Sequence, residues 1–252
     1  MINIKTMNKH NSEEELIKRV LINRGYDIEI IDALLNVGYS QELPMYNDLT
    51  NVNVGADIIE SHIANGSNIF IFGDYDSDGV NSSYILSDAI NQIIFNEDST
   101  ATISVKLPER TEGYGLNINW CKSIVENKDN DTLVITVDNG IAQEREVAYL
   151  LENGIDVLIT DHHQPNGHTP KNVFIIDAFH NNDDENNKGL CGAGVAFKLA
   201  MTLLDRYELK NRDELYYKYL IHVAIATITD SMPMTIENIK YVYNGIELLK
   251  DG

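Results

Sequence analysis

The sequence predicts an α/β protein built on a Rossmann-like, five-stranded, mostly parallel sheet flanked by helices. Three observations lead there. Five short apolar, β-rich runs follow one another: "NIFIFGD" (68–74), "TISVKLP" (102–108), "TLVITVD" (132–138), "DVLITD" (156–161) and "VFIIDA" (173–178). Helical patterns separate most of them, namely "VNSSYILSDAINQII", "NINWCKSIVEN" and "AQEREVAYLLENG". The runs are also near-continuously apolar, as strands of a parallel sheet covered on both faces are.

The flanking segments read as helices. "HNSEEELIKRVLINRG" starts with Ser12 followed by acids and ends at Gly25, the pattern of a capped helix. "DIEIIDALLNVG" gives a second helix and "NVGADIIESHIANG" a third, which stops at Gly66. Residues 1–66 are therefore expected to form an N-terminal helical arm packed on the core, and residues 67–252 the sheet domain. After Asp177 the chain turns helical again, in "GAGVAFKLAMTLLDRY", "DELYYKYLIHVAIATI" and "TIENIKYVYNGIELLK". There is no internal repeat, low-complexity tract or Pro-rich linker.

Composition narrows the functional classes. A chain of 252 residues suits one large domain with a small appendage, and 43% hydrophobic content excludes global disorder. No stretch approaches the roughly 20 apolar residues of a membrane helix. The N-terminus lacks the apolar segment of a secretory signal. Only Cys121 and Cys191 occur, in no CxxC pattern, which fits a reduced, cytoplasmic setting. A net charge of −20 repels nucleic acid and anionic membranes at long range. It serves solubility, or some of the carboxylates cluster to hold cations.

The second possibility gains from where the acids fall. The first run ends in "GDYDSDG", which supplies Asp74, Asp76 and Asp78; the third ends at Asp138, the fourth at Asp161-His162-His163, and the fifth at Asp177. In an open parallel sheet the C-terminal strand ends form the ligand crevice, so these side chains converge. Each acid taken singly also suits a helix cap. DxDxDG resembles a calcium loop, but the twelfth position from Asp74 is Ile85 where that loop needs Glu. Crowded bare carboxylates and imidazoles repel and shift one another's pKa. Divalent cations remove the conflict, and oxygen donors with one or two histidines suit Mn²⁺ or Mg²⁺. There are more donors than one ion uses, which points to two ions that activate water and stabilise in-line displacement at phosphorus. Asp230 closes another hydrophobic run, "VAIATITD", and is either a further ligand or the N-cap of the next helix.

In order and spacing, "FIFGDYDSDGVNSS", "VITVDNGI", "VLITDHHQP", "GLCGAGVAFKLA" and "IATITDSMPMTIEN" resemble the DHH phosphoesterase superfamily, specifically its RecJ-like single-strand DNA exonuclease branch. "LPERTEGYGLN" is similar to a RecJ-type loop after the second strand. The resemblance runs from about residue 12 to 250 and implies specific roles. Asp74 and Asp76 match ligands of one metal, with Asp138 bridging. Asp78, Asp138, His162 and Asp230 match ligands of the second. His163 matches a contact to the substrate phosphate that helps protonate the leaving group, Asp161 the support of the imidazoles, and Arg110 a basic residue that steadies a phosphate. Lys106 and Lys240 are further cations expected near the crevice.

Two departures stand out. Asn238-Ile239-Lys240 replaces an expected Asn-Arg pair, and Ile239 cannot grip phosphate as arginine does. Asp177-Ala178 stands where relatives carry Asn-Pro, so Asp177 reads as structural. The second domain of the family's catalytic core, with its glycine- and histidine-rich substrate motif, is expected to lie outside this chain, as is any OB-fold.

The expected function is therefore a divalent-metal-dependent phosphodiesterase, a RecJ-like nuclease on single-stranded nucleic acid that this chain alone binds weakly. One alternative is a small-substrate hydrolase of short oligonucleotides, cyclic dinucleotides or pyrophosphate, for which acidity is less of an obstacle. Another is a binding module that partners a replication or repair protein, which lost ligands would favour. A protein partner that supplies the second domain fits any of these. Turnover with Mn²⁺ on a single strand, a dinucleotide and pyrophosphate separates them.

Overall fold

The computed structural model describes residues 13–39 and 45–251. Ser12, the expected cap of the first helix, lies outside them. The strands are β1 (Asn68–Phe72), β2 (Thr102–Lys106), β3 (Thr132–Val137), β4 (Asp156–Thr160) and β5 (Phe174–Ile176). They form one sheet in the order β2-β1-β3-β4-β5, and every pairing is parallel. The register aligns Phe72 with Thr136, Val137 with Thr160, and Thr160 with Ile176. The C-terminal ends of four strands thus finish at one level. Strand order reverses between β1 and β3, where such sheets open a crevice for ligands.

Alternate residues of the strands feed two cores, as the pleat requires. On one side Ile69, Ile71, Leu133, Ile135, Leu158 and Ile176 pack under α3 (Val52–Ala64), α4 (Ser77–Asn96), α9 (Gly192–Leu204) and α10 (Arg212–Thr229). On the other, Phe72, Val134, Val157, Ile159 and Ile175 meet α5 (Ile118–Glu126) and α6 (Glu144–Glu152). β2 is an edge strand and is correspondingly more exposed. β5 is shorter than the 173–178 run, because Asp177 leaves the strand to cap a short helix. That helix, α7 (Ala178–Asn181), and α8 (Glu185–Lys188) occupy a polar stretch with too few apolar residues to signal a helix in the sequence.

At the N-terminus, α1 (Glu13–Asn23) packs on α2 (Ile28–Asn36), which leans on α11 (Ile236–Asp251). α3 is more deeply integrated: Val52, Ala56, Ile59 and Ile63 are all buried in the main core.

α9 is buried along its whole length and carries Lys198 into the interior. The Lys198 ammonium, fully buried, meets Asp48 at 2.7 Å, Glu237 at 2.8 Å and Asn187 Oδ1 at 2.8 Å. One cation thereby ties the segment before α3, α8 and α11 to the central helix. Glu237 also accepts from Tyr241 Oη at 2.9 Å. Removing one partner of a buried ion group leaves the others uncompensated, so Lys198→Met is expected to cost roughly 3–5 kcal/mol in urea unfolding despite its similar volume. A loss below about 1 kcal/mol, the scale of an exposed ion pair, would show that water relieves the site.

Candidate metal centre

The "GDYDSDG" segment turns directly from β1 into α4. The Asp76 carboxylate accepts from Gly79 N at 2.9 Å and caps the helix, while Asp78 lies in its first turn and is buried. Gly79 is required here, because a Cβ would stand 2.5 Å from the Asp74 backbone nitrogen. Asp138 follows β3 in a left-handed conformation, φ 61°, which aspartate tolerates better than most residues. The N-terminus of α9 faces both acids. Gly192 N and Ala193 N donate to the two oxygens of Asp78 at 2.6 and 2.7 Å. A Cβ on Gly192 would stand 2.6 Å from that of Asp138, so glycine sets how close the helix comes.

Asp161 is buried and fully engaged. It accepts from His162 N (2.7 Å), His163 N (3.2 Å) and Ile141 N (2.9 Å), and lies 2.7 Å from His163 Nδ1. It therefore orients both histidines without facing the crevice. His162 Nε2 points into the cluster, 3.0 Å from Asp138, 3.5 Å from Asp78 and 3.8 Å from Asp230. Asp230 is the C-cap of α10. Its alternative reading as the N-cap of the following helix is corrected: Thr235 Oγ1 accepts from Asn238 N at the start of α11 instead. A carboxylate at a helix C-terminus adds negative charge where the dipole is already negative. A cation there is correspondingly favoured.

Among the described residues, three groups bring ligand atoms within 4.8 Å of one another: Asp74–Asp76–Asp138, Asp78–His162–Asp230 and Asp138–His162–His163. Every sequence-singled metal candidate belongs to at least one, and Asp138 and His162 each belong to two. The donors are carboxylates and imidazoles with no thiolate, a set suited to Mn²⁺ or Mg²⁺. The residues present therefore fit such ions.

The Arg110 guanidinium lies 5.5 Å from the ring centre of Tyr75, which stands between Asp74 and Asp76 in sequence. Lys106 is 3.9 Å from Glu112. Ile239 is buried, and the Asn238 amide donates to the Gly189 and Pro233 carbonyls, so both side chains are committed to the interior. Asp177 caps α7 by accepting from Phe179 N and His180 N. The sequence reading missed Tyr114, whose hydroxyl donates to the Asp138 carbonyl at 2.9 Å and approaches His163. Its signal was its place in the quoted "TEGYG" loop. The α9 amides were also missed, since backbone donors carry no sequence letter.

Burial is the first cause that raises the Asp74, Asp78 and Asp138 carboxyls, and neighbouring carboxylates push in the same direction. Burial lifts Asp177 to about 6. The Asp161 hydrogen bond raises His163.

Residues 68–227 match the family model described as the DHH family, N-terminal domain. This chain belongs to the DHH family. It is 32% identical over 250 residues to the single-stranded-DNA-specific exonuclease RecJ of Bacillus subtilis, covering 98% of this chain and 30% of that protein. The crystal structure of an exonuclease RecJ bound to manganese superposes with a TM-score of 0.68 at 30% identity, over 79% of this chain and 48% of that one. RecJ of Thermus thermophilus in complex with Mn²⁺ gives a TM-score of 0.67 at 25% identity, over 91% of this chain and 32% of that one. The chain thus spans about a third of the length of the Bacillus relative. No described helix is long and apolar enough to cross a membrane.

A raised folded-state pKa gives stability that is present below the unfolded pKa and lost as pH rises through the folded one. The carboxyls and His163 all shift this way. Chelated protein is therefore expected to melt at a higher temperature at pH 6 than at pH 8. Excess Mn²⁺ should raise the melting point by mass action, and by more at pH 8, where protons compete less. Scanning calorimetry at both pH values checks this; a chelated protein that loses stability on acidification over that interval refutes it.

Proposed function

We propose that this chain is the metal-binding catalytic domain of a phosphodiesterase, a RecJ-like nuclease that hydrolyses single-stranded DNA. The observation that carries the reading is the convergence of Asp74, Asp76, Asp78, Asp138, His162 and Asp230 at the β1/β3 reversal, with Asp138 common to two groups. Asp74, Asp76 and Asp138 would hold one divalent ion; Asp78, Asp138, His162 and Asp230 would hold the second. Mn²⁺ is the preferred ion, with Mg²⁺ able to substitute. Two such ions supply an activated water and neutralise charge that develops on the phosphate.

The chain's own residues do the rest. Asp161 holds His163 in orientation. His163 contacts the scissile phosphate and gives a proton to the departing sugar oxygen as the new P–O bond to water forms and the old one breaks. Arg110, on the exposed rim, steadies a phosphate. We divide the chain into a catalytic unit at residues 67–252 and an N-terminal arm at residues 1–66, in which α2 leans on α11 and α3 is built into the main core.

A charge of −20 favours a second reading, in which only one or two phosphates are gripped and the substrate is a short oligonucleotide, a cyclic dinucleotide or pyrophosphate. A second domain, in the same polypeptide or a partner protein, would supply the grip on a long strand.

Turnover with Mn²⁺ on a labelled single strand, a dinucleotide and pyrophosphate tests both readings. Cleavage of the strand that is lost in chelator is expected. Faster cleavage of the dinucleotide would favour the second reading, and no cleavage of any substrate would defeat both. His162→Ala should weaken Mn²⁺ binding and turnover together. His163→Ala should leave Mn²⁺ affinity near that of the parent while turnover falls about 10²-fold, the scale of general-acid catalysis. Equal loss of metal by both variants would refute this division of roles.

A further inference from the structure

The loop of residues 107–117, between β2 and α5, is held at both ends. At one end Arg110 lies over Tyr75. At the other, buried Leu116 anchors the chain and Asn117 caps α5 by accepting from Trp120 N at 2.9 Å. Tyr114 lies between these anchors. Its hydroxyl oxygen is 2.9 Å from the Asp138 carbonyl oxygen, 3.3 Å from His163 Nε2 and 3.4 Å from His163 Nδ1. The two rings meet edge to face, with centroids 5.8 Å apart and planes at 84°.

His163 needs such a neighbour. Its side chain is 45% exposed, and its one short polar contact is with Asp161 at 2.7 Å. A ring held at one nitrogen can still swing about that contact. His162 leans on one side at 4.4 Å between centroids. The Tyr114 hydroxyl lies against the ring from another direction, and is itself pinned to the backbone of Asp138, an acid common to two ligand groups.

We propose that Tyr114 is a positioning residue that fixes the His163 ring relative to Asp138 and acts on turnover through His163. The inference rests on the role given to His163 above. A ring that has lost one of its supports spends less time in the geometry that delivers a proton to the departing oxygen.

Tyr114→Phe keeps the aromatic ring and removes only the hydroxyl. Misplacing a reacting group is costly, so kcat on a dinucleotide should fall about tenfold with KM unchanged. Mn²⁺ affinity by titration calorimetry should stay as in the parent. A p-nitrophenyl ester of thymidine 5′-phosphate releases p-nitrophenolate, a stable anion that needs no proton, so its turnover should be unaffected. In a His163→Ala background the Tyr114→Phe change should add no further loss. The His163 ring signal in NMR, assigned with His163→Ala, should be single in the parent and broadened or split in Tyr114→Phe. Equal losses on both esters, or a parallel loss of Mn²⁺ affinity, would mean Tyr114 acts through Asp138 and would overturn the proposal. An unchanged His163 signal would overturn it too. If the parent cleaves neither ester nor a labelled single strand, the phosphodiesterase reading fails by itself, and the NMR comparison still decides what Tyr114 does.

Discussion

The structure turns on the mutual repulsion of carboxylates that the fold forces together. Parallel strands that end at one level deliver Asp74, Asp138 and Asp161 to the same layer, and the start of α4 adds Asp76 and Asp78. Buried carboxylates are destabilised twice, through lost hydration and through each other's charge. Asp78 gains partial relief from the Gly192 and Ala193 amides, the positive end of α9. Asp161 finds three backbone donors. Asp138 has His162 at 3.0 Å, with Asp78 and Asp161 adding to its repulsion. The acid with the most need of a countercharge is thus the one that belongs to two ligand groups.

Much of the remaining architecture holds this unfavourable arrangement in place. α9 must bring its amides to Asp78 and its glycine to within reach of Asp138, and it is buried throughout. Lys198, further along the same helix, binds acids from two separate segments and so anchors α9 against movement along its axis. α10 ends where Asp230 can face His162, and the α10–α11 turn, with Ser231 at φ 56°, redirects the chain away from the crevice. A fold that crowds like charges needs such stiffness, because any loose element would relax the crowding by moving away.

The sheet and most of the cluster were legible in the sequence for one reason. A buried parallel strand is an uninterrupted apolar run, so its end is marked by the first polar residue, and in this fold those residues gather in the cluster. Asp74, Asp138 and Asp161 were found in that way. The strand order was not legible, because which strand neighbours which depends on packing between distant segments. The cap of α11 went to Thr235 while Asp230 closed α10, because both sites of a tight helix–helix turn carry cap-type residues and only geometry assigns them. Tyr114 escaped because a tyrosine in a glycine-rich loop has no periodic neighbour to give it a direction. Its hydroxyl matters only through the Asp138 carbonyl, a group that every residue carries.

The acidity of the chain and the chemistry of its crevice are two faces of the same electrostatics. A polyanion that approaches a protein at −20 is repelled until it is within about a Debye length of a local positive field, roughly 8–10 Å at ordinary ionic strength. Arg110 alone cannot supply that field beside Asp74 and Asp76. On the proposed reading, cations held by the same carboxylates would offset most of their charge and present a positive centre at the point where a phosphate comes. Metal and phosphate would then favour each other's binding, and the coupling would be reciprocal: a bound phosphate would tighten the hold on the ions as much as the ions tighten the hold on it. On the proposed reading, the carboxylates that by themselves repel nucleic acid would, through the ions they hold, be the groups that let the loaded crevice take it.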